Sequence, residues 1–250
     1  MEDKWTMERE FRDPVKELEW KTEGLPKGSA HAIAYQDKKD GTYIHFLRFE
    51  PGFGTGPEKR EPMQHDFDEV VYIISGGIVN PRLNNRYKSG SVAVFPKGIK
   101  HGPGSAPVGA LMIEFRHPTK TNAVSDMTQG KEFVEVVTEL KWEPAVQPEG
   151  AYQAIAYRDK TSGTYVRFLR VDPGFADGYE WKEDFGKGPC CKHMEFTEII
   201  YLISGGLYNR RLECRYQAGE LAIFPPAIAH GPMEAPVGAL MIEHRHFLPE

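Results

Sequence analysis

The sequence is poor in cysteine and contains no long apolar run. Three cysteines among 250 residues, two of them adjacent, do not form the framework of paired cysteines found in small secreted domains. No run approaches the roughly 18 apolar residues that a membrane-spanning helix needs, and residues 1–12 are charged and lack the apolar core of a signal peptide. We therefore expect a soluble protein of the reducing cytoplasm that has no membrane partner.

An excess of basic charge is also missing. The 31 Lys and Arg residues are outnumbered by 36 Asp and Glu residues, which gives a net charge of −5. Proteins that bind nucleic acids usually carry a basic face, because phosphate contacts supply most of the affinity. We therefore expect no nucleic-acid partner.

The sequence pattern indicates strands separated by turns rather than helices. The 25 glycines and 19 prolines interrupt short apolar segments rich in aromatic and β-branched residues. This pattern is typical of a β-sandwich or β-barrel. The predicted strands are 41–50, 69–75, 91–95 and 110–117, then 163–172, 198–204, 220–224 and 239–246. Stretch 131–142 fits either a helix or a strand, and we assign it to a strand.

The chain is a tandem duplication. Residues 18–53 match 140–175 with one constant offset, and residues 67–117 match 196–246 without a gap. A-P-V-G-A-L-M-I-E-x-R-H and E-x-x-Y-x-I-S-G-G are among the motifs that occur twice. The predicted organisation is an N-terminal segment (1–17), a first domain (18–117), a linker (118–139) and a second domain (140–250).

Each repeat places two histidines and one glutamate around its central strand. In the first repeat, His65 precedes Glu69 by four residues, and His101 follows a later strand that stops at a proline. Glu69 shares its strand face with Val71 and Ile73. Burying a carboxylate there costs several kcal/mol unless a cation or hydrogen-bond donors compensate it. Two imidazoles and one carboxylate suit a divalent first-row metal with open coordination positions. The second repeat carries the equivalent residues His193, Glu198 and His230.

These spacings resemble the two sequence motifs of the cupin superfamily. H-x₃-E-x₆-G in the first repeat and H-x₄-E-x₆-G in the second resemble the first motif, and G-x₅-P-x-G-x₂-H in the first repeat resembles the second motif. The second repeat has Ala227 in place of the inner glycine. The resemblance covers both repeats and implies a bicupin, an all-β protein of two tandem double-stranded β-helix (jelly-roll) barrels. A fainter similarity points to ChrR-like cupins, which include zinc sensors and dioxygenases.

The sequence departs from the cupin pattern at one ligand position in each repeat. The first histidine of the family's opening pair is replaced by Met63 in the first repeat and by Cys191 in the second. A thioether is a soft, weak ligand for a hard divalent ion, whereas a thiolate binds zinc or iron well. We therefore regard the second repeat as the stronger metal site. The predicted metal ligands are His65, Glu69, His101, Cys191, His193, Glu198 and His230.

Further polar residues recur two positions apart on one strand face. They are Glu114 with Arg116 and Glu243 with Arg245. We predict that each glutamate pairs with its arginine, although an arginine clamp for a carboxylate-bearing substrate is an alternative. His45 of the first repeat is replaced by Arg167 in the second, and such exchanges would give the two pockets different chemistry.

The resemblance implies a metal-dependent enzyme that acts on a small organic molecule. We expect one or two divalent metal ions, with iron(II) favoured and with Zn, Mn or Ni as alternatives. Iron(II) predicts a dioxygenase, whereas the other metals would suit lyase, isomerase or cyclase chemistry. A non-catalytic bicupin that senses a metabolite or a metal is an alternative of another class, and the missing first histidine favours it. A homodimer is also open, because cupins often pair through edge strands.

Overall fold

The computed structural model describes residues 10–56, 60–119, 132–146, 148–177 and 191–247. The strands of the first part are β1 Phe11–Arg12, β2 Ser29–Gln36, β3 Tyr43–Phe49, β4 Asp68–Asn80, β5 Asn85–Lys88, β6 Ser91–Phe95, β7 Ala110–His117 and β8 Phe133–Glu135. Two short helices follow strands β1 and β8, namely α1 Pro14–Glu17 and α2 Val136–Glu139.

The second part repeats this sequence of strands. It contains β9 Glu143–Pro144, β10 Ala151–Arg158, β11 Tyr165–Val171, β12 Phe175–Ala176, β13 Cys191–Lys192, β14 Phe196–Asn209, β15 Cys214–Gln217, β16 Leu221–Phe224, β17 Ala229–His230, β18 Met233–Ala235 and β19 Ala239–Phe247. The prediction of an all-β fold is confirmed. None of the described helices has the length and apolar character that crossing a bilayer would require.

The chain divides into two units that do not coincide with the repeats. We call Leu18–Leu140 barrel one, and Met1–Glu17 together with Lys141–Glu250 barrel two. In barrel one the main sheet has the order β2-β3-β7-β4-β6-β8, with β5 paired to the far end of β4. Barrel two has the corresponding order β10-β11-β19-β14-β16-β1, in which the last strand comes from the start of the chain.

The end strands of these sheets come from segments that sequence analysis set apart from the two domains. Phe11 pairs with Ala222 in barrel two, and Phe133 of the predicted linker pairs with Ala93 in barrel one. Segments 10–17 and 132–139 align with the same offset as the rest of the first repeat block, so they are themselves copies. The predicted strand at 131–142 is short and passes directly into the helical turn α2. Each copy therefore completes the barrel formed mainly by the other repeat.

Buried contacts explain why these short segments dock. Phe133 contacts Tyr87 with ring centroids 4.8 Å apart, and Phe11 contacts Tyr216 at 4.7 Å. Phe11 is fully buried. Full burial of such a side chain contributes about 1.5–3 kcal/mol, which a two-residue strand could not gain in isolation.

The predicted central strands, 69–75 and 198–204, stop just before a Gly-Gly pair, but in the structure each strand continues through its pair. Strand β4 runs through Gly76 to Asn80, with a register shift between Ile73 and Ser75. Gly76 has φ of 73°, and a Cβ atom there would lie 2.1 Å from the carbonyl oxygen of Gly109. Only glycine allows this approach. The resulting bend lets the strand leave the main sheet and pair with β5.

Candidate metal centres

Barrel two brings three of its predicted ligands together on adjoining strands. Glu198 lies at the start of β14, His230 lies on β17, and His193 follows β13. Oε2 of Glu198 is 3.3 Å from Nε2 of His193 and 3.1 Å from Nε2 of His230. Glu198 and His230 are buried, whereas His193 is partly exposed. The three side chains therefore converge on one point near the barrel surface.

Aromatic stacking and one backbone contact orient these imidazoles. His230 stacks on Phe224 with ring centroids 4.0 Å apart, and His193 stacks on Phe196 at 4.3 Å. Nδ1 of His230 lies 3.3 Å from the carbonyl oxygen of Ile228, which can only accept a hydrogen bond. With a proton on Nδ1, a neutral ring can offer its Nε2 lone pair to a metal in place of the hydrogen bond that Nε2 otherwise donates to Glu198.

Arg245 holds the other oxygen of Glu198. The two residues are direct cross-strand partners on β14 and β19, and Nη2 of Arg245 lies 2.9 Å from Oε1 of Glu198. Burial opposes ionisation of Glu198, but hydrogen bonds from His193 and His230 and the charge of Arg245 hold its pKa well below the ordinary value. The carboxylate therefore stays ionised, with Oε2 directed at the imidazoles.

The separations between these atoms fit a bound metal ion. Two ligand atoms held about 2.1 Å from one ion at a right angle lie about 3.0 Å apart. The distances of 3.1 and 3.3 Å from Glu198 are close to this separation. The set His193, Glu198 and His230 could thus hold a metal ion without a large rearrangement.

Barrel one has the same arrangement with longer separations. Oε2 of Glu69 lies 3.4 Å from Nε2 of His101 and 3.9 Å from Nε2 of His65. His101 stacks on Phe95 at 3.9 Å, as His230 does on its own phenylalanine. Burial favours the neutral form of both rings; it lowers the pKa of His65, whereas in His101 the hydrogen bond and charge of Glu69 outweigh it and raise the pKa. This set could also hold a metal ion.

The predicted pairs of glutamate and arginine are present and extend each cluster inward. Arg116 pairs with Glu114, through Nη2 and Oε2 at 2.8 Å, and its Nε lies 2.8 Å from Oε1 of Glu69. Arg245 likewise pairs with both Glu198 and Glu243. Neither arginine is left to clamp a carboxylate-bearing substrate.

The residue beyond this pair differs between the barrels. Nε2 of His45 lies 2.6 Å from Oε2 of Glu114 in barrel one. In barrel two, Arg167 donates two hydrogen bonds to Glu243, at 3.0 and 2.9 Å, and a third to Gln153. We call the chains His101–Glu69–Arg116–Glu114–His45 and His230–Glu198–Arg245–Glu243–Arg167 the polar ladders.

Two predicted ligand positions remain to be placed. The backbone of Cys191 pairs with that of His230, but the Cys191 side chain lies outside the described part of the structure. Met63 pairs through its backbone with His101, and the residue is 52% exposed. Sequence reasoning missed the contacts of Arg116 and Arg245 with Glu69 and Glu198. The alternating face of the final strand was the available signal, but the register that aligns it with the central strand was not visible.

An apolar cavity of about 120 Å³ adjoins the cluster in barrel two. Its walls include Val171, Leu207, Phe224 and Met241, and Glu198 and the two imidazoles also line it. The cluster thus faces a space that a small molecule could enter.

Comparison with known proteins identifies the fold. No protein-family model and no curated relative matches the sequence. Among solved structures, a protein of Nostoc punctiforme that carries the provisional name dioxygenase is 14% identical, with a TM-score of 0.61 over 96% of this chain and 87% of that one. A cupin 2 conserved barrel domain protein of Leptotrichia buccalis is 9% identical, with a TM-score of 0.61 over 94% and 95%. A deletion mutant of Bacillus subtilis oxalate decarboxylase is 16% identical, with a TM-score of 0.52 over 97% and 78%.

These similarities confirm the resemblance on which the sequence prediction rested. At such low identity they establish the architecture, whereas the chemistry must be argued from the site itself. The chain therefore has the cupin fold, with two cupin-type barrels in tandem.

Proposed function

We propose that the protein is a metal-dependent enzyme, and most specifically an iron(II) dioxygenase, whose reaction takes place in barrel two. One observation carries the proposal: two imidazole nitrogens lie 3.1 and 3.3 Å from one carboxylate oxygen of Glu198, and these three residues line a mostly apolar cavity. A set of two histidines and one carboxylate with open positions is typical of non-haem iron oxygenases. The ligands in this proposal are His193, Glu198 and His230, and Cys191 would be a fourth.

The protein's own residues would bind the metal and orient the substrate. Iron(II) held in this way supplies electrons for the activation of O₂ at coordination positions that the protein leaves open. Arg245 fixes Glu198 so that one oxygen remains directed at the metal. Phe224 and Phe196 hold the two imidazoles, and the apolar wall would place carbon atoms beside the reacting groups.

Metal analysis of the anaerobically purified protein tests the ligand assignment. We expect one to two equivalents of metal (about one in each occupied barrel), and loss of the barrel-two equivalent in His193→Ala and in His230→Ala. His101→Ala is the matched control, because it should affect barrel one alone. Unchanged metal content in both barrel-two variants would contradict the assignment. Cys191→Ser asks separately whether sulfur contributes a ligand, since loss of metal in that variant would add Cys191 to the set.

The metal that restores activity distinguishes the dioxygenase from the alternatives. Consumption of O₂ that depends on iron(II) and on an organic substrate supports a dioxygenase. Turnover without O₂ in the presence of Zn, Mn or Ni would favour a lyase, isomerase or cyclase. If metal or metabolite binding occurred without turnover, the sensing bicupin would be preferred. The cytoplasmic location and a homodimer are further predictions.

A further inference from the structure

The cavity of barrel two has a composition that restricts what it can bind. Its lining is mostly apolar and includes Leu169, Val171, Leu207, Phe224 and Met241. The polar side chains that line it are those of the two histidines, Glu198, Glu243, Arg245 and Asp177. An apolar cavity of roughly 150 Å³ stays dry and binds benzene. The cavity here, of about 120 Å³, is close to that size.

The charges beside the cavity do not favour an anionic ligand body. Among the described lining residues, Arg245 is the only one with a guanidinium or ammonium group. It is already paired with Glu198 and Glu243, and both carboxylates line the same cavity. A carboxylate placed among the apolar side chains would lose its hydration and find no available cation.

One residue exchange between the repeats accounts for the space that the cavity occupies in barrel two. In barrel one, Phe49 stacks on Phe53 with ring centroids 4.0 Å apart, and both rings pack on the core. The equivalent residues in barrel two are Val171 and Phe175, and both line the cavity. Replacing a phenylalanine with a valine removes most of an aromatic ring from this position. A guest ring could take the place that the Phe49 ring has in barrel one.

We propose that barrel two binds a small substrate whose body is uncharged and apolar, about one six-membered ring in size, with its polar end toward His193, Glu198 and His230. This inference rests on the proposed function in naming the ligand a substrate. The binding of the apolar body requires only the cavity. It can therefore be tested without metal and without turnover.

Binding of fluorobenzene to the metal-free protein is the direct test. In ¹⁹F NMR spectra we expect the fluorobenzene signal to broaden or shift on addition of the wild-type protein. The probe 4-fluorobenzoate has the same ring with a carboxylate, and we expect it to bind more weakly. Val171→Phe introduces the residue that barrel one carries at this position and should abolish fluorobenzene binding. Met241→Phe, which fills the cavity from another strand, should do the same.

The control is Met112→Phe, because Met112 is the barrel-one equivalent of Met241. Fluorobenzene binding should survive in this variant, and circular dichroism should show that all variants are folded. Undiminished binding in Val171→Phe and Met241→Phe would overturn the proposal, as would tighter binding of 4-fluorobenzoate by the wild type. If either variant fails to fold, the other variant and the comparison of probes still decide. Because no metal is present, failure here is distinct from failure of the metal-site assignment.

Discussion

The two barrels differ in the group that binds the innermost carboxylate of their polar ladders. In barrel one, Glu114 is hydrogen-bonded to a single imidazole, that of His45. In barrel two, Glu243 accepts two hydrogen bonds from Arg167. An imidazole changes charge near neutral pH, but a guanidinium does not. The barrel with the permanent cation also has the shorter distances between its histidines and its metal-facing glutamate. The two copies of the duplicated site therefore differ in whether a permanent cation or an imidazole holds this carboxylate.

Removal of the partner of the innermost carboxylate, Arg167 or His45, should give the largest difference between the barrels in free energy of unfolding. We expect Arg167→Ala to destabilise barrel two by about 3–5 kcal/mol, because it breaks a buried ion pair and leaves Glu243 partly uncompensated. His45→Ala should cost barrel one only about 1.5–3 kcal/mol, the range for a hydrogen bond to a charged group. Urea unfolding, followed by hydrogen exchange of the strands in each barrel, would measure both. Equal losses of unfolding free energy would show that the exchange of His45 for Arg167 has no energetic consequence.

Removal of the arginine in the middle of the ladder should change metal affinity. Arg245→Ala leaves Oε1 of Glu198 without its cross-strand partner, so we expect metal binding in barrel two to weaken about 10–100-fold. Competition with a chelator would measure the change. Arg116→Ala is the matched variant and should affect only barrel one. Unchanged affinity in Arg245→Ala would mean that packing alone orients the carboxylate.

The smallest effect near neutral pH should be that of acid, to which Glu114 contributes in barrel one and Glu198 in barrel two. Burial opposes ionisation of Glu114, but His45 and Arg116 lower its pKa to about 2 from the ordinary 4.5. Because the folded-state pKa lies below the unfolded value, the contribution to stability is complete above about pH 4.5 and is lost as the pH falls toward 2. Unfolding of barrel one measured across this range should show the loss. Glu114→Gln should flatten the dependence, and an unchanged dependence would assign it to other carboxylates.

Much of the fold could be predicted because its signals are local. Apolar strands, turn residues and the repeat are all visible in the sequence, and the spacing of His193, Glu198 and His230 indicated their convergence. The Gly-Gly pairs misled the prediction, because glycine at a bend and glycine at a strand end have the same local appearance. Contacts set by strand register were less accessible. Glu198 and Arg245 are 47 residues apart, and only the pairing of β14 with β19 makes them neighbours.

Because each end strand belongs to the barrel formed mainly by the other repeat, the segment of chain that was duplicated is not the segment that forms one barrel. A fragment that begins after Leu140 would contain most of barrel two but would lack Phe11 and would expose the surface that Phe11 covers on Tyr216. It would also lack Glu10, whose carboxylate accepts a hydrogen bond from Asn209. An ancestor with a single repeat that kept the present pairing would receive this strand from a second copy. Duplication within one gene would then have converted an exchange between molecules into an exchange within one.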